Sequence, residues 1–302
     1  MAAIEHMAQE IDSQPDVWRR AAEIAAADNV PLPAPGERVA VVGCGTSWFM
    51  AQSYAALRER AGHGVTDAFA ASEAFAAGEA FVQRGYDTVL AITRSGTTTE
   101  LLRLMGLLKG RVRTVGVVGD RHAPIAEVCD AIVGLPFADE KSVVQTRFAT
   151  SALLLLRRHL GEDVTPAVRD VADALRQPVD PAWVKAEQFT FLGHGWTYGL
   201  ANEAALKMRE ASQSWTEAYP LLEYRHGPIA IAAPGRVTWV LGPDNGELAA
   251  DVARTGALFV HHERDALADL VLVQRVALER ARARGLDPDR PRALTRSVIL
   301  DA

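Results

Sequence analysis

The segment Thr93-Arg94-Ser95-Gly96-Thr97-Thr98 carries four hydroxyl side chains and one glycine, directly after the apolar run Thr88 to Ile92. A helix is expected to start at about Thr98. Hydroxyls and backbone N–H groups gathered at a helix N-terminus suit an anion, phosphate above all. The segment has no lysine, so it is not the G-x-x-x-x-G-K-[ST] loop of nucleotide binders. It reads as a cradle for one phosphate monoester, as on a sugar phosphate. A βα turn with a Ser/Thr cap fits the same residues. Elsewhere, Glu203, Lys207 and Glu210 are spaced to share one helix face. By itself that spacing is an ordinary Glu→Lys pair, worth a few tenths of a kcal/mol. His226 precedes Gly227-Pro228 on a loop. Such a histidine is either a structural or surface group, or a proton carrier near neutral pH.

The elements that must position these groups repeat along the chain. Val41-Val42-Gly43-Cys44-Gly45-Thr46-Ser47 matches Phe191-Leu192-Gly193-His194-Gly195-Trp196-Thr197 at a shift of 191 − 41 = 150 positions. The same shift relates Ala51–Ala55 to Ala201–Ala205, Glu73 to Glu223, Val89-Leu90-Ala91 to Trp239-Val240-Leu241, and Gly96 to Gly246. Beyond that the second copy is shorter. In the first copy, strands are expected at 38–43, 65–69, 88–93, 112–118 and 131–135. Helices are expected at 46–62, 71–82, 98–110, 123–128 and 141–161. Such alternation predicts parallel sheets with helices on both faces, and ligands bind beyond the carboxyl ends of such strands. Residues 3–28 read as a helical arm broken at Gln14-Pro15, and 161–181, with Pro166, Pro178 and Pro181, as a connection. The expected segments are thus 1–35, 36–162 and 175–302.

The two copies of the loop differ. Thr93, Ser95, Thr97 and Thr98 correspond to Pro243, Asn245, Glu247 and Leu248. A carboxylate repels phosphate, so the first copy is expected to hold the anion and the second to supply something else.

Composition narrows the classes. The chain has 302 residues, 49% of them apolar, enough for a sizeable core. A net charge of −6 argues against a nucleic-acid partner. Two cysteines, Cys44 and Cys129, make neither a disulfide framework nor a zinc pattern, which fits a reducing cytoplasm. Cys44 reads as a small residue in a tight turn, not a nucleophile. With acidic residues near the start a signal peptide is not expected there, and no apolar run reaches membrane-spanning length. No cofactor and no metal are called for.

These residues resemble the sugar isomerase (SIS) family, more specifically the tandem-SIS isomerase half of glucosamine-6-phosphate synthase and its stand-alone relatives. The likeness rests on Met7–Ile11 with Gln14-Pro15, Gly43–Ser47, Ser95-Gly96 with Thr98, Glu203–Glu210 with Glu217–Tyr219 and Arg225–Pro228, and Pro291–Val298. It implies an α/β fold of two tandem SIS subdomains, each a flavodoxin-like or Rossmann-like three-layer sandwich. It implies phosphate binding by Ser47, Thr93, Ser95, Gly96 and Thr98. Thr46, Arg94, Val143, Gln145, Lys207 and Arg296 fall at sugar-binding positions. It implies that Glu210 moves a proton between C1 and C2 of the sugar. It also implies that His226 opens the ring by moving a proton between O1 and O5, reaching a neighbouring subunit of a homodimer.

Two departures stand out. The chain begins at the arm, with no Cys after Met1, so glutamine-dependent amination is not expected. Arg296 stands where the family carries a Schiff-base lysine, and arginine cannot act as an amine nucleophile. Arg94 replaces the family's usual glutamine. Its guanidinium is expected either to contact the phosphate or a sugar oxygen, or to face solvent.

A base that takes the C2 proton of an open-chain sugar phosphate has two outlets: return of a proton at C1, or loss of the C3 hydroxyl as water. Because Arg296 removes imine chemistry at that position, the sequence leans toward dehydration of N-acetylglucosamine 6-phosphate. The alternatives are an isomerase or deaminase of glucosamine 6-phosphate type, and a non-catalytic sugar-phosphate sensor.

Overall fold

The computed structural model describes residues 5–27, 29–244 and 246–300. Residues 3, 4 and 28 of the expected arm, Asn245 of the second loop, and the last two residues of the expected segment 175–302 lie outside the described residues.

Helices α1 (His6–Asp12) and α2 (Gln14–Ala25) come first, parting at Ser13, next to the Gln14-Pro15 expected to mark the break. Then come β1 (Val39–Gly43), α3 (Thr46–Arg60), β2 (Thr66–Ala70), α4 (Ala71–Ala77), α5 (Glu79–Val82), β3 (Thr88–Thr93), α6 (Thr99–Leu108), β4 (Arg113–Val118), β5 (Ala131–Gly134) and α7 (Arg147–His159). The second half holds α8 (Thr165–Arg176), α9 (Pro181–Lys185), β6 (Gln188–Gly193), α10 (Thr197–Ser212), β7 (Trp215–Pro220), β8 (Arg236–Leu241), α11 (Leu248–Thr255), β9 (Leu258–His261) and α12 (Ala266–Ala283).

All pairings are parallel. The first sheet runs β2-β1-β3-β4-β5 and the second β7-β6-β8-β9, so the internal repeat is a repeat of strand order with the last strand missing. Strands β1, β3 and β6 are buried at every residue, as expected of strands covered on both faces. On the first sheet, Ala71, Leu101, Leu104 and Met105 of α4 and α6 pack against Val42, Val89 and Ala91.

By contacts the chain forms two compact units: residues 16–140, 147–164 and 295–302 around the first sheet, and 1–15, 141–146 and 165–294 around the second. They do not follow the segments 1–35, 36–162 and 175–302. In the first-sheet unit, α2 is fixed to α7 by Trp18 Nε1 donating to Thr150 Oγ1 at 3.0 Å. In the second-sheet unit, the Glu10 carboxylate of α1 accepts from the amides of Lys141 and Ser142 at 2.6 and 3.3 Å and from the Ser142 hydroxyl.

Several expected elements change. The helix expected at 71–82 is two, because Gly78 adopts φ +53° between α4 and α5. The stretch 123–128 is a 3-10 turn, Pro124–Glu127. The helix expected from 141 begins at Arg147, since the amides of Lys141 and Ser142 are spent on Glu10. The expected connection 161–181 contains α8, which packs on α12. Its prolines flank or open helices instead of marking a linker: Pro166 lies in the first turn of α8 and Pro181 opens α9.

Candidate functional site

In the first-sheet unit both candidate anion-binding turns follow the carboxyl ends of strands. After β1, Gly45 turns at φ +54° and α3 begins, with Thr46 and Ser47 buried in its first turn. Gly43 allows this turn: a Cβ there would meet the Ser47 backbone at 2.6 Å. After β3, Gly96 adopts φ +63°, and a Cβ on it would meet Ala123 Cβ at 2.5 Å and Ile125 Cγ2 at 2.9 Å. The Gly96 carbonyl accepts from Ile125 N at 3.1 Å, which fixes the loop to the neighbouring turn.

The loop hydroxyls have distinct partners. Thr93 Oγ1 accepts from Gly96 N at 3.1 Å, and Ser95 Oγ from Thr97 N at 3.3 Å. Thr98 occupies the N-cap position of α6 with extended backbone, yet its side chain makes no capping bond. The plain capping role considered for this loop is therefore not what Thr98 does here. Thr97 and Thr99 turn to the chain's last described segment. Thr97 Oγ1 donates to Ser297 Oγ at 2.9 Å, Thr99 N to Val298 O at 3.1 Å, and Leu300 N to Thr99 Oγ1 at 3.0 Å.

Of the two places expected for Arg94, the solvent-facing one is excluded. Its side chain is 1% exposed, so it does not face solvent, and it lies 3.7 Å from the Glu140 carboxylate, itself 0% exposed. Nη2 of Arg94 donates to the Arg296 carbonyl at 3.0 Å. A buried guanidinium needs such a counter-charge to offset its lost hydration. Arg296 in turn donates to Asp139 Oδ1 at 2.6 Å and to the Glu140 carbonyl. Cys44, beside the first turn, has its thiol pushed up to about 11, mainly by burial and then by Glu100. It stays protonated at neutral pH, in keeping with a packing role.

The second-sheet unit gathers the proton-moving candidates. Glu203, Lys207 and Glu210 share one face of α10. Lys207 Nζ is 3.5 Å from Glu203 Oε1 and directly bonded to Glu210 Oε2. Glu203 and Lys207 are closed off, whereas the Glu210 side chain is 19% exposed. Lys207 is therefore committed to two carboxylates and orients Glu210. His226 ends the 3-10 turn Leu221–His226 and is exposed. Gly227 follows at φ +135°. In the loop held by Glu10, Val143 N donates to Asp289 O at 2.9 Å. The amide oxygen of Gln145 is buried with no partner among the described residues. Among the described residues no cluster of three or more His, Cys, Asp or Glu could hold a metal, and no helix is long and apolar enough to cross a membrane.

Sequence reasoning did not assign roles to Glu140, Asp139, Glu10, Thr99 or Val298. The one available signal was Arg94 itself, a charge in an otherwise uncharged loop with no acidic neighbour in sequence.

Residues 34–157 match the SIS domain family. Over 301 aligned residues the chain is 27% identical to the glutamine–fructose-6-phosphate aminotransferase of Sulfurisphaera tokodaii, covering 88% of this chain and 50% of that protein. It is 26% identical to the same-named protein of Gloeobacter violaceus, covering 98% of this chain and 58% of that one. The chain thus spans about half the length of the curated relatives it matches. A crystal structure titled glucosamine-6-phosphate deaminase, from Thermotoga maritima, superposes with a TM-score of 0.78 at 25% identity, covering 97% of this chain and 99% of that one. The SIS resemblance and the α/β three-layer fold read from the sequence are borne out.

Proposed function

We propose that this chain is an enzyme of the phosphosugar isomerase and deaminase type, acting on a 2-amino hexose 6-phosphate. The observation that carries the reading is the Glu203–Lys207–Glu210 set on α10. Two of its members are sealed and one partly open carboxylate is held in place by the lysine. A fixed carboxylate suits removal of a proton next to a carbonyl. In this reading Glu210 takes the C2 proton of the open-chain aldose and returns one at C1. With a 2-amino group the product is a ketose imine. Water adds at C2 and ammonia leaves, so glucosamine 6-phosphate and water become fructose 6-phosphate and ammonia. No amine nucleophile from the protein is needed, in accord with an arginine at 296.

Ser47, Thr93, Ser95, Gly96 and Thr98 are assigned to the phosphate. His226 is assigned to ring opening, and its exposure on its own chain suits service to a second copy. The buried, unpartnered oxygen of Gln145 suits an N–H donor such as the substrate's 2-amino group. Free thiols at Cys44 and Cys129 accord with a cytoplasmic setting.

A second reading keeps the same base and changes the outlet: dehydration of N-acetylglucosamine 6-phosphate across C2–C3. Gln145 serves it equally, since an acetamido group also presents an N–H. Mass spectrometry after incubation with each sugar phosphate separates the readings. Fructose 6-phosphate and ammonia from glucosamine 6-phosphate support the first. Loss of water from the N-acetyl compound supports the second. Binding of both with neither altered would leave a sensor and sink the enzyme.

A further inference from the structure

Arg94 is the loop residue whose chemistry the proposed reaction leaves unused. A cation beside a phosphate loop invites the reading that it binds the anion, but its contacts point elsewhere. Its charge is matched by buried Glu140, and its second nitrogen holds the Arg296 carbonyl. The Arg296 charge is matched by Asp139, and Glu140 Oε1 also accepts from Arg147 N at 2.8 Å. The Arg147 guanidinium joins the network at the Asp139 carbonyl, so what turns Arg94 away from an anion is its own engagement with Glu140 and the Arg296 carbonyl.

What the network does hold is the segment 295–300. Arg94 and Arg296 fix its first half, and three bonds at Thr97 and Thr99 fix the rest. The loop residues divide by partner. Thr97 and Thr99 face this strap, while Thr93 and Ser95 accept from the loop's own amides and Thr98 sits at the N-cap position with no capping bond. Val298 satisfies the Thr99 amide, one of the donors every helix leaves open at its N-terminus. The strap therefore sets where α6 begins and how the loop before it is held.

We propose that Arg94 is a positioning residue: paired with Glu140, it clamps the 295–300 strap against Thr97 and Thr99. That holds Thr93, Ser95 and Thr98 in anion-receiving geometry without Arg94 touching the anion. The inference rests on the reading that this loop holds phosphate.

Its test has one arm that needs no ligand. Hydrogen exchange is measured at the Thr99 amide in the unaltered chain, in Arg94→Gln/Glu140→Gln, and in a chain ended after Leu294. The double substitution removes both buried charges, so no lone charge is left to unfold the protein. Exchange should rise roughly tenfold in both variants, within the range for residues sharing one network. Unchanged exchange would overturn the clamp.

The second arm is calorimetry with inorganic phosphate. The double variant and the shortened chain should each bind roughly tenfold more weakly, and combining them should add nothing further. If the substitutions weaken binding as much in the shortened chain as in the full one, Arg94 is itself an anion ligand and the proposal fails. If the unaltered chain binds no phosphate while the exchange result holds, the anion reading falls and the positioning role with it, and the clamp alone survives.

Discussion

The two sheets end their third strands in loops that share a backbone and little else. After β3 the loop turns at Gly96 with φ +63°, and after β8 at Gly246 with φ +77°. Around Gly96 lie four hydroxyls, a buried arginine and the strap; around Gly246 lie Pro243, Asp244, Glu247 and Leu248. Glu247 is largely exposed and within 3.9 Å of Arg225. The surroundings differ as much. A Cβ on Gly96 would strike Ala123 and Ile125, whereas one on Gly246 would meet nothing within 4 Å. The duplicated sheet thus preserves a place for a turn, and each copy uses it differently. The first copy packs its loop against Ala123 and Ile125, and this is the loop we assign to the anion. The second leaves its loop open, and its proton-moving candidates lie on α10, ahead of β7 and β8.

That division can be broken by experiment, beginning with α10. Glu210→Gln should lower turnover by about 10²–10⁴-fold, the usual worth of a general acid–base group, while sugar-phosphate affinity changes little. Steady-state kinetics beside calorimetry checks it, and a loss confined to affinity would move Glu210 into the binding set. The glycines come next. Gly96→Ala should destabilise by about 2–4 kcal/mol, because left-handed strain and overpacking add. Gly246→Ala should cost only about 1 kcal/mol, the strain alone. Urea unfolding of the two variants tests the contrast, and equal costs would erase it.

A smaller effect is expected from giving the first loop a residue of the second. Thr98→Leu should cost about 1.5–3 kcal/mol of phosphate affinity, the worth of a hydrogen bond to a charged group. Glu247→Thr should leave that affinity where it was.

The smallest effect concerns His159, in the first-sheet unit. Burial, then His63 and Arg58, hold its imidazole below the ordinary histidine range. Unfolded, it takes a proton near about pH 6.5, so just below that pH the unfolded chain binds more protons than the folded one. Stability should therefore decline as pH falls through this window and level off below the folded value. His159→Gln should flatten the change in urea midpoint between about pH 7.5 and 5.5.

Much of this was legible in the residues. Strand positions in the first copy were readable because continuous Val/Ile/Leu runs have few other uses, and β1, β3 and β4 lie within a residue of where they were expected. The hydroxyl loop and the α10 face were readable because their spacing is local. Failures came where a distant residue intervened. Glu10 takes the amides of Lys141 and Ser142, so α7 starts late. A solvent-facing Arg94 was allowed by the sequence until Glu140 was found beside it.

The sequence alone determined the repeat, the α/β class and the residues able to hold an anion or move a proton. These follow from periodicity and residue type, which are properties of neighbours along the chain. Only the tertiary structure decided which charges pair with one another, that Lys207 serves two carboxylates, and that the last described segment lies along the hydroxyl loop. Those outcomes depend on burial, where desolvation makes each charge require a partner. That partner is chosen by the fold, not by position in sequence.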